Sequence, residues 1–250
     1  MIDGQAVRIH ERPGEPRASG STFVLVHGIG MSHRYLSPLH DALAITDRVI
    51  SIDLPGFGGL PKPMKDLTVE EMGGILARTA EALDVHDVVL VGHSMGVQWV
   101  LEAAAVSPER VRRVVLIGPV VDARFRTLIA QARALAVDTL GESAAVNAIV
   151  FRDYLRCGPR WYLRQARRML EYPTEERIRR LRAPVLLIRG GDDPVAGREW
   201  CRALLSAAWE GDLVEVRKQQ HNVQYSAPRG VADAILAGSA RAHGRPSSAR

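Results

Sequence analysis

Five residues, Gly92-His93-Ser94-Met95-Gly96, set a serine between two glycines in the pattern G-x-S-x-G. An apolar run, 88–91, ends on the first glycine, and a helix-like run, 95–106, leaves from the serine. A serine on so sharp a strand–turn–helix is held in a strained backbone conformation with its hydroxyl exposed above the turn. The plain alternative is a glycine-rich turn with a surface serine. Composition alone would give about 0.1 such pentapeptides per chain. The chemistry on offer is nucleophilic attack by Ser94, and a serine hydroxyl needs a base for that.

His221, in Gln219-Gln220-His221-Asn222-Val223, follows an apolar run at 213–217 and precedes a helix opening near Ala227-Pro228. That places it on a loop at a strand's carboxyl end, on the same edge as Ser94. A carboxylate must then fix the imidazole's tautomer and stabilise its charged form. Asp193 and Asp192, in Gly190-Gly191-Asp192-Asp193-Pro194-Val195, follow the run at 184–189, and Asp122 follows the run at 113–118. All three are candidates. An oxyanion needs two N–H donors. The Met95 amide opens the helix behind Ser94, and the Ile29 amide lies in His27-Gly28-Ile29-Gly30, after the run at 22–26.

The elements that must position these groups alternate. Runs at 22–26, 48–53, 87–91, 113–118, 184–189 and 213–217 are apolar nearly throughout, as strands of a parallel sheet buried on both faces are. Residues 5–11 alternate and predict an antiparallel edge strand. Helical spacing covers 34–45, 68–83 and 95–106, and Thr68 with Glu71 makes a capping box. The pattern predicts an α/β fold: a mostly parallel central sheet flanked by helices. The rhythm breaks over 119–183, where helices are expected at 125–140, 143–156 and 161–170. An insertion there can cover the carboxyl ends of the strands, where open α/β sheets keep their sites. The expected organisation is a core of 1–118 and 184–238, a helical cap over 119–183, and a flexible basic tail over 239–250.

Composition closes off other classes. The chain has 250 residues, 46% hydrophobic and 24% charged, which suits one globular domain. No apolar run approaches the length of a bilayer crossing, so no integral membrane association is expected, and no signal-peptide core stands at the start. Two cysteines without C-x-x-C predict neither a disulfide framework nor a cysteine metal site, and a reduced, cytoplasmic setting. Residues 119–183 carry 13 Arg against 7 acids, out of a whole-chain formal charge of +5. Arg outnumbers Lys 30 to 3 overall and few aromatics stand among the basic residues, so the excess predicts no nucleic-acid partner. A dinucleotide fingerprint fails because position 33 is His, and neither a Walker A sequence nor H-E-x-x-H occurs. No cofactor and no metal is expected. Oligomeric state is not legible.

The ordered set Val26-His27-Gly28-Ile29-Gly30, Asp53-Leu54-Pro55-Gly56-Phe57-Gly58, Gly92-His93-Ser94-Met95-Gly96, Gly190-Gly191-Asp192-Asp193-Pro194-Val195 and Gln220-His221-Asn222 resembles the α/β-hydrolase superfamily, in its compact form with a small helical cap. The resemblance spans about residues 5–238. It implies the triad order Ser94, Asp193, His221, and the family's acid, three residues after a glycine and two before Ile or Val, selects Asp193. Two departures stand out: Val97 replaces a frequent glycine after the serine motif, and Gln220 replaces a frequent glycine before the base.

The expected activity is hydrolysis of a carboxylic ester or related acyl bond of a small, largely apolar molecule through an acyl-enzyme. Alternatives are a carbon–carbon bond or lactone hydrolase using the same triad, and a hydrolase-like ligand receptor. Serine at position 94 disfavours epoxide and haloalkane chemistry, which the resembling families run on aspartate. Candidate substrate contacts are His33, near the pocket edge, and Trp161 and Tyr162 of the cap. For the cap's apolar residues helix packing competes with pocket lining.

Overall fold

The computed structural model of the chain describes residues 1–12 and 21–243. Seven strands form one sheet: β1 (Arg8–Arg12), β2 (Thr22–Val26), β3 (Arg48–Asp53), β4 (Val88–His93), β5 (Val111–Ile117), β6 (Val185–Gly190) and β7 (Gly211–Val216). Their spatial order is β1-β3-β2-β4-β5-β6-β7. Only β1 runs antiparallel, pairing Ile9 with Ile52 of β3. The others are parallel, in registers such as Val24 with Leu90 and Leu90 with Val114. The chain builds outward from β2 to β3 and then returns to place β4 on β2's other side. That reversal opens a crevice at the carboxyl ends of β2 and β4.

The apolar runs form strands because both sheet faces are covered. All six residues of β4 are buried. One face packs with α2 (Val69–Ala82) and α3 (Gly96–Val106), where Trp99, Met72 and Leu76 are fully enclosed; the other packs with α1 (Ser37–Leu43) and α10 (Pro228–His243) through Leu39, Val231 and Ile235. Each such enclosed Leu, Ile or Val stabilises the fold by about 1.5–3 kcal/mol. The capping box opens α2: Glu71 N–H donates to Thr68 Oγ1 at 3.2 Å and Thr68 N–H to Glu71 Oε2 at 2.9 Å.

Boundaries move where turn chemistry decides them. The helix expected over 34–45 is a 3-10 turn, His33–Leu36, followed by α1, because Pro38 favours a fresh first helical turn. Between β5 and β6 stand α4 (Leu128–Gly141), α5 (Ala144–Cys157), α6 (Pro159–Glu171) and α7 (Thr174–Arg180). Thr127 and Ser143 cap α4 and α5 through their hydroxyls. Neither α7 nor α8 (Arg198–Ala207) was expected. A short α9 (Val223–Ser226) precedes α10. The tail expected to be flexible from 239 is helical backbone to His243, and 244–250 lie outside the described residues. No described helix is long and apolar enough to cross a membrane, and Cys157 and Cys201 are buried free thiols.

Candidate active site

Strand β4 delivers Ser94 directly. Its φ is +57°, a left-handed conformation for a non-glycine residue, held at a strain of about 1–3 kcal/mol. The Ser94 N–H donates to Ile117 O at 2.9 Å, which fixes the turn to β5. The flanking glycines are required by contact: a Cβ on Gly92 would lie 2.5 Å from Gly96 O, and one on Gly96 2.5 Å from His27 O. Strand, turn and helix can close on each other only without those side chains.

His221 is braced from three sides. Its ring Nδ1 bonds Asp193 Oδ2 at 2.9 Å, its N–H donates to Asp138 Oδ1 at 2.8 Å, and its carbonyl accepts from His93 Nε2 at 3.0 Å. Its Nε2 is buried and makes no hydrogen bond among the described residues. Asp193 is fixed in turn, its Oδ1 accepting from the N–H groups of Val195 at 2.7 Å and Ala196 at 2.9 Å. Burial opposes charge on both partners, yet the pair outweighs it. Asp193 is held below the usual carboxylate range by the His221 charge and these bonds, and His221 above the usual imidazole value by Asp193, Asp138 and Glu142. Of the three candidate acids, the structure brings only Asp193 to His221. Asp122 caps the turn at Ala123–Phe125 and pairs with Arg124 at 2.6 Å. Asp192 gives its N–H to Gln219 O.

A network not expected from the sequence joins the β2, β4 and β7 loops. Gly28 N–H donates to Tyr35 Oη at 2.6 Å, so the phenol proton points to His93 Nδ1 at 2.7 Å, and His93 Nε2–H donates to His221 O. Burial, aided by the His221 charge, pushes His93 down to about 3, so its ring is neutral in the tautomer the bonds require. His27 ties the next loop: its Nδ1–H donates to Gly28 O at 2.7 Å and its Nε2 accepts from Leu54 N–H at 3.1 Å.

Ser94, His221 and Ile29 line one cavity of about 260 Å³ with Tyr35, Leu135 and Tyr154. Among the described residues no Lys or Arg lines it, and the one acid that does is Asp138, whose carboxyl burial pushes up to about 6. No hydrogen bond joins Ser94 Oγ to His221 Nε2 among the described residues. Neither the Ile29 nor the Met95 N–H takes a partner among them. Met95 is buried at the start of α3. Gly30, at φ +76°, turns the backbone beneath the Tyr154 ring, where a Cβ would lie 2.6 Å from Cδ1.

The three expected substrate contacts lie elsewhere. His33 is turned to the β1 edge, where its N–H and Nδ1 bond the Asp53 carboxylate at 2.6 and 2.9 Å and its ring stacks on His10. It lines a separate cavity of about 370 Å³ that includes neither Ser94 nor His221. Trp161 is buried over Gly56 and Phe57 and pins α6 to the core. Tyr162 packs edge-on against Tyr154, and Tyr154 is the one that faces the cavity. His10, His33 and Asp53 bring ligand-type atoms within 4.8 Å of one another, but Arg8 occupies the same Asp53 oxygen at 3.3 Å.

The model of the Alpha/beta hydrolase family matches residues 23–234. The chain belongs to that family. Among solved structures, this α/β hydrolase superposes on a thermophilic esterase from Thermogutta terrifontis with a TM-score of 0.79 at 21% identity, covering 95% of this chain and 94% of that one. It superposes on the enol-lactonase from Burkholderia xenovorans LB400 with a TM-score of 0.79 at 20% identity, covering 94% and 97%. By sequence it is 28% identical over 94% of its length to the dihydrolipoyllysine-residue acetyltransferase component of an acetoin cleaving system from Pseudomonas putida, covering 67% of that protein. The two structural likenesses, at about one residue in five, show the shared fold.

Proposed function

We propose that the protein is a serine hydrolase that cleaves an ester-type acyl bond of a small, neutral, largely apolar molecule. The supporting observation is that the imidazole bonds Asp193 through Nδ1 while its Nε2 stays buried, with no hydrogen bond among the described residues, beside the cavity that holds Ser94. In free enzymes such serine–histidine bonds are often long and tighten when substrate binds.

The substrate carbonyl lies against Ser94 with its oxygen toward the Ile29 and Met95 N–H groups. Ser94 Oγ forms the new bond to the carbonyl carbon as its proton passes to His221 Nε2. The two amides hold the oxyanion, and His221 gives the proton to the leaving alcohol as that C–O bond breaks. Water repeats the sequence: His221 takes its proton, the hydroxide adds to the acyl carbon, and Ser94 leaves reprotonated. Asp193 keeps Nδ1 protonated throughout, so Nε2 is the atom that exchanges protons.

A lactone is the cyclic form of the same bond, and the enol-lactonase likeness makes lactones the second reading. Carbon–carbon bond cleavage and ligand reception have no observation of their own. A fluorophosphonate should label Ser94, and Ser94→Ala should lose hydrolysis of a panel of neutral aryl esters and lactones by at least about 10³-fold. Retained turnover in Ser94→Ala would overturn the proposal.

A further inference from the structure

The helices between β5 and β6 have two faces. The inner faces are spent on the cavity and the core: Leu135 and Asp138 of α4, Val150 and Tyr154 of α5, and Met169 of α6 line the cavity. The opposite faces are not polar in the way a solvated helix is. Eight of the fourteen large hydrophobic residues left exposed among the described residues fall between Phe125 and Leu163, with Leu140 at 88% and Phe151 at 65% exposure. Single exposed apolar side chains are ordinary; a concentration on one layer is not.

Arginines alternate with these residues at helical spacing. On α4 the exposed series is Ile129, Arg133, Val137, Leu140; on α5 it is Phe151, Arg152, Leu155; on α6 it is Arg160, Leu163, Arg164, Arg167. Those five arginines make no ion pair among the described residues, whereas Arg156 and Arg168 are paired to Asp153 and Asp66. The acids on these helices and the α4–α5 turn are few: Asp138 and Asp153 are buried, Glu142 accepts from Asn222 N–H, and Glu171, at the end of α6, pairs with Arg168 at 3.5 Å.

We propose that the outward faces of α4, α5 and α6 dock on an anionic lipid surface. Charge complementarity selects the partner: unpaired guanidinium groups meet lipid phosphates while their stems and the Leu, Ile and Phe side chains enter the acyl boundary. The apolar residues are distributed over three helices rather than gathered in one groove, which suits a broad, deformable surface better than a single protein knob. Docking places the roof of the cavity against the lipid.

The test is co-sedimentation of the full chain with vesicles of phosphatidylcholine, with and without phosphatidylglycerol. Binding is expected only with phosphatidylglycerol, and is expected to weaken in high salt. The triple variant Arg152→Glu, Arg164→Glu, Arg167→Glu should lose at least about 100-fold in partitioning. Leu140→Ser with Phe151→Ser should lose at least about 10-fold. All five positions are exposed, so both variants should keep the parent's circular dichroism and Tm. The proposal is overturned by no binding to anionic vesicles in low salt, by unchanged binding of the charge-reversed variant, or by equal binding to neutral vesicles. It is overturned in favour of a second copy if sedimentation shows a dimer that Leu140→Ser with Phe151→Ser dissolves while vesicles capture nothing.

Discussion

Asp138 gives the most direct control over the base. It sits on α4, lines the cavity, and accepts the backbone N–H of His221 at 2.8 Å. Burial pushes its carboxyl up to about 6, so at neutral pH most molecules still carry the charge. That charge helps hold His221 above its usual value, after the larger effect of Asp193. A general base must be neutral to accept a proton, so kcat/KM falls as pH drops through the raised His221 value. Asp138→Asn keeps an oxygen for the His221 N–H and removes only the charge. For unit charges about 7 Å apart, an effective permittivity of about 20–40 gives about 1–2 kcal/mol, or about one pH unit. The acid limb of kcat/KM should therefore move down by about one pH unit, with the alkaline plateau changed less than about threefold. Asp138→Ala removes the oxygen as well. It leaves the His221 N–H buried without a partner, at about 1–3 kcal/mol, so its plateau should fall about tenfold and its Tm by a few degrees. The assay is kcat/KM for a short-chain aryl ester from about pH 5 to 9 at constant ionic strength. An unmoved limb in Asp138→Asn refutes the coupling, and an upward shift refutes its sign.

Asp193→Asn should lower kcat by about 10³–10⁴-fold, because an amide N–H facing Nδ1 drives the proton onto Nε2; a loss below about tenfold would place the tautomer control elsewhere. Tyr35→Phe removes the group that accepts from Gly28 N–H and donates to His93 Nδ1. Two buried polar atoms lose their partners, and denaturant unfolding should show a loss of about 2–4 kcal/mol; a loss under about 0.5 kcal/mol would mean that the loops are held by other contacts. Among esters with matched acyl groups, neutral ones should exceed anionic ones by at least about tenfold in kcat/KM, since no Lys or Arg among the described residues lines the cavity and Asp138 does. Equal rates would show that the charged group never enters.

Sequence carried the sheet and the groups at its carboxyl edge, for reasons visible in particular residues. Continuous apolar runs such as Val88–Val91 mean burial on both faces whatever the neighbours are, and β4 is buried throughout. The turn at Ser94 was legible because only glycines survive contacts of 2.5 Å with backbone. Where the sequence reading missed, the deciding contact lay far along the chain. His33 reads as a pocket histidine until β1 and β3 bring His10 and Asp53 to it. Trp161 reads as a pocket aromatic until Gly56, 105 residues earlier, leaves space for its ring. Nothing in the motif marks the role of His93, because its partners are Tyr35 and the carbonyl of His221.

The same limit hid the contacts that α4 makes with the base loop. Asp138 and Glu142 have the spacing of solvent-facing acids, and nothing local marks them as acceptors for the amides of His221 and Asn222. Yet Leu135 and Asp138 lie one helical turn apart, the first against the cavity and the second against the base. A displacement of α4 large enough to widen the cavity at Leu135 also draws the Asp138 oxygen away from His221. Room for substrate and strength of the base are thereby tied to one rigid element. Substitutions that enlarge the cavity from α4, such as Leu135→Ala, should shift the acid limb as well as the substrate preference, whereas enlargement from α5 through Val150→Ala should change preference alone. A shared pH profile for the two variants would break that link.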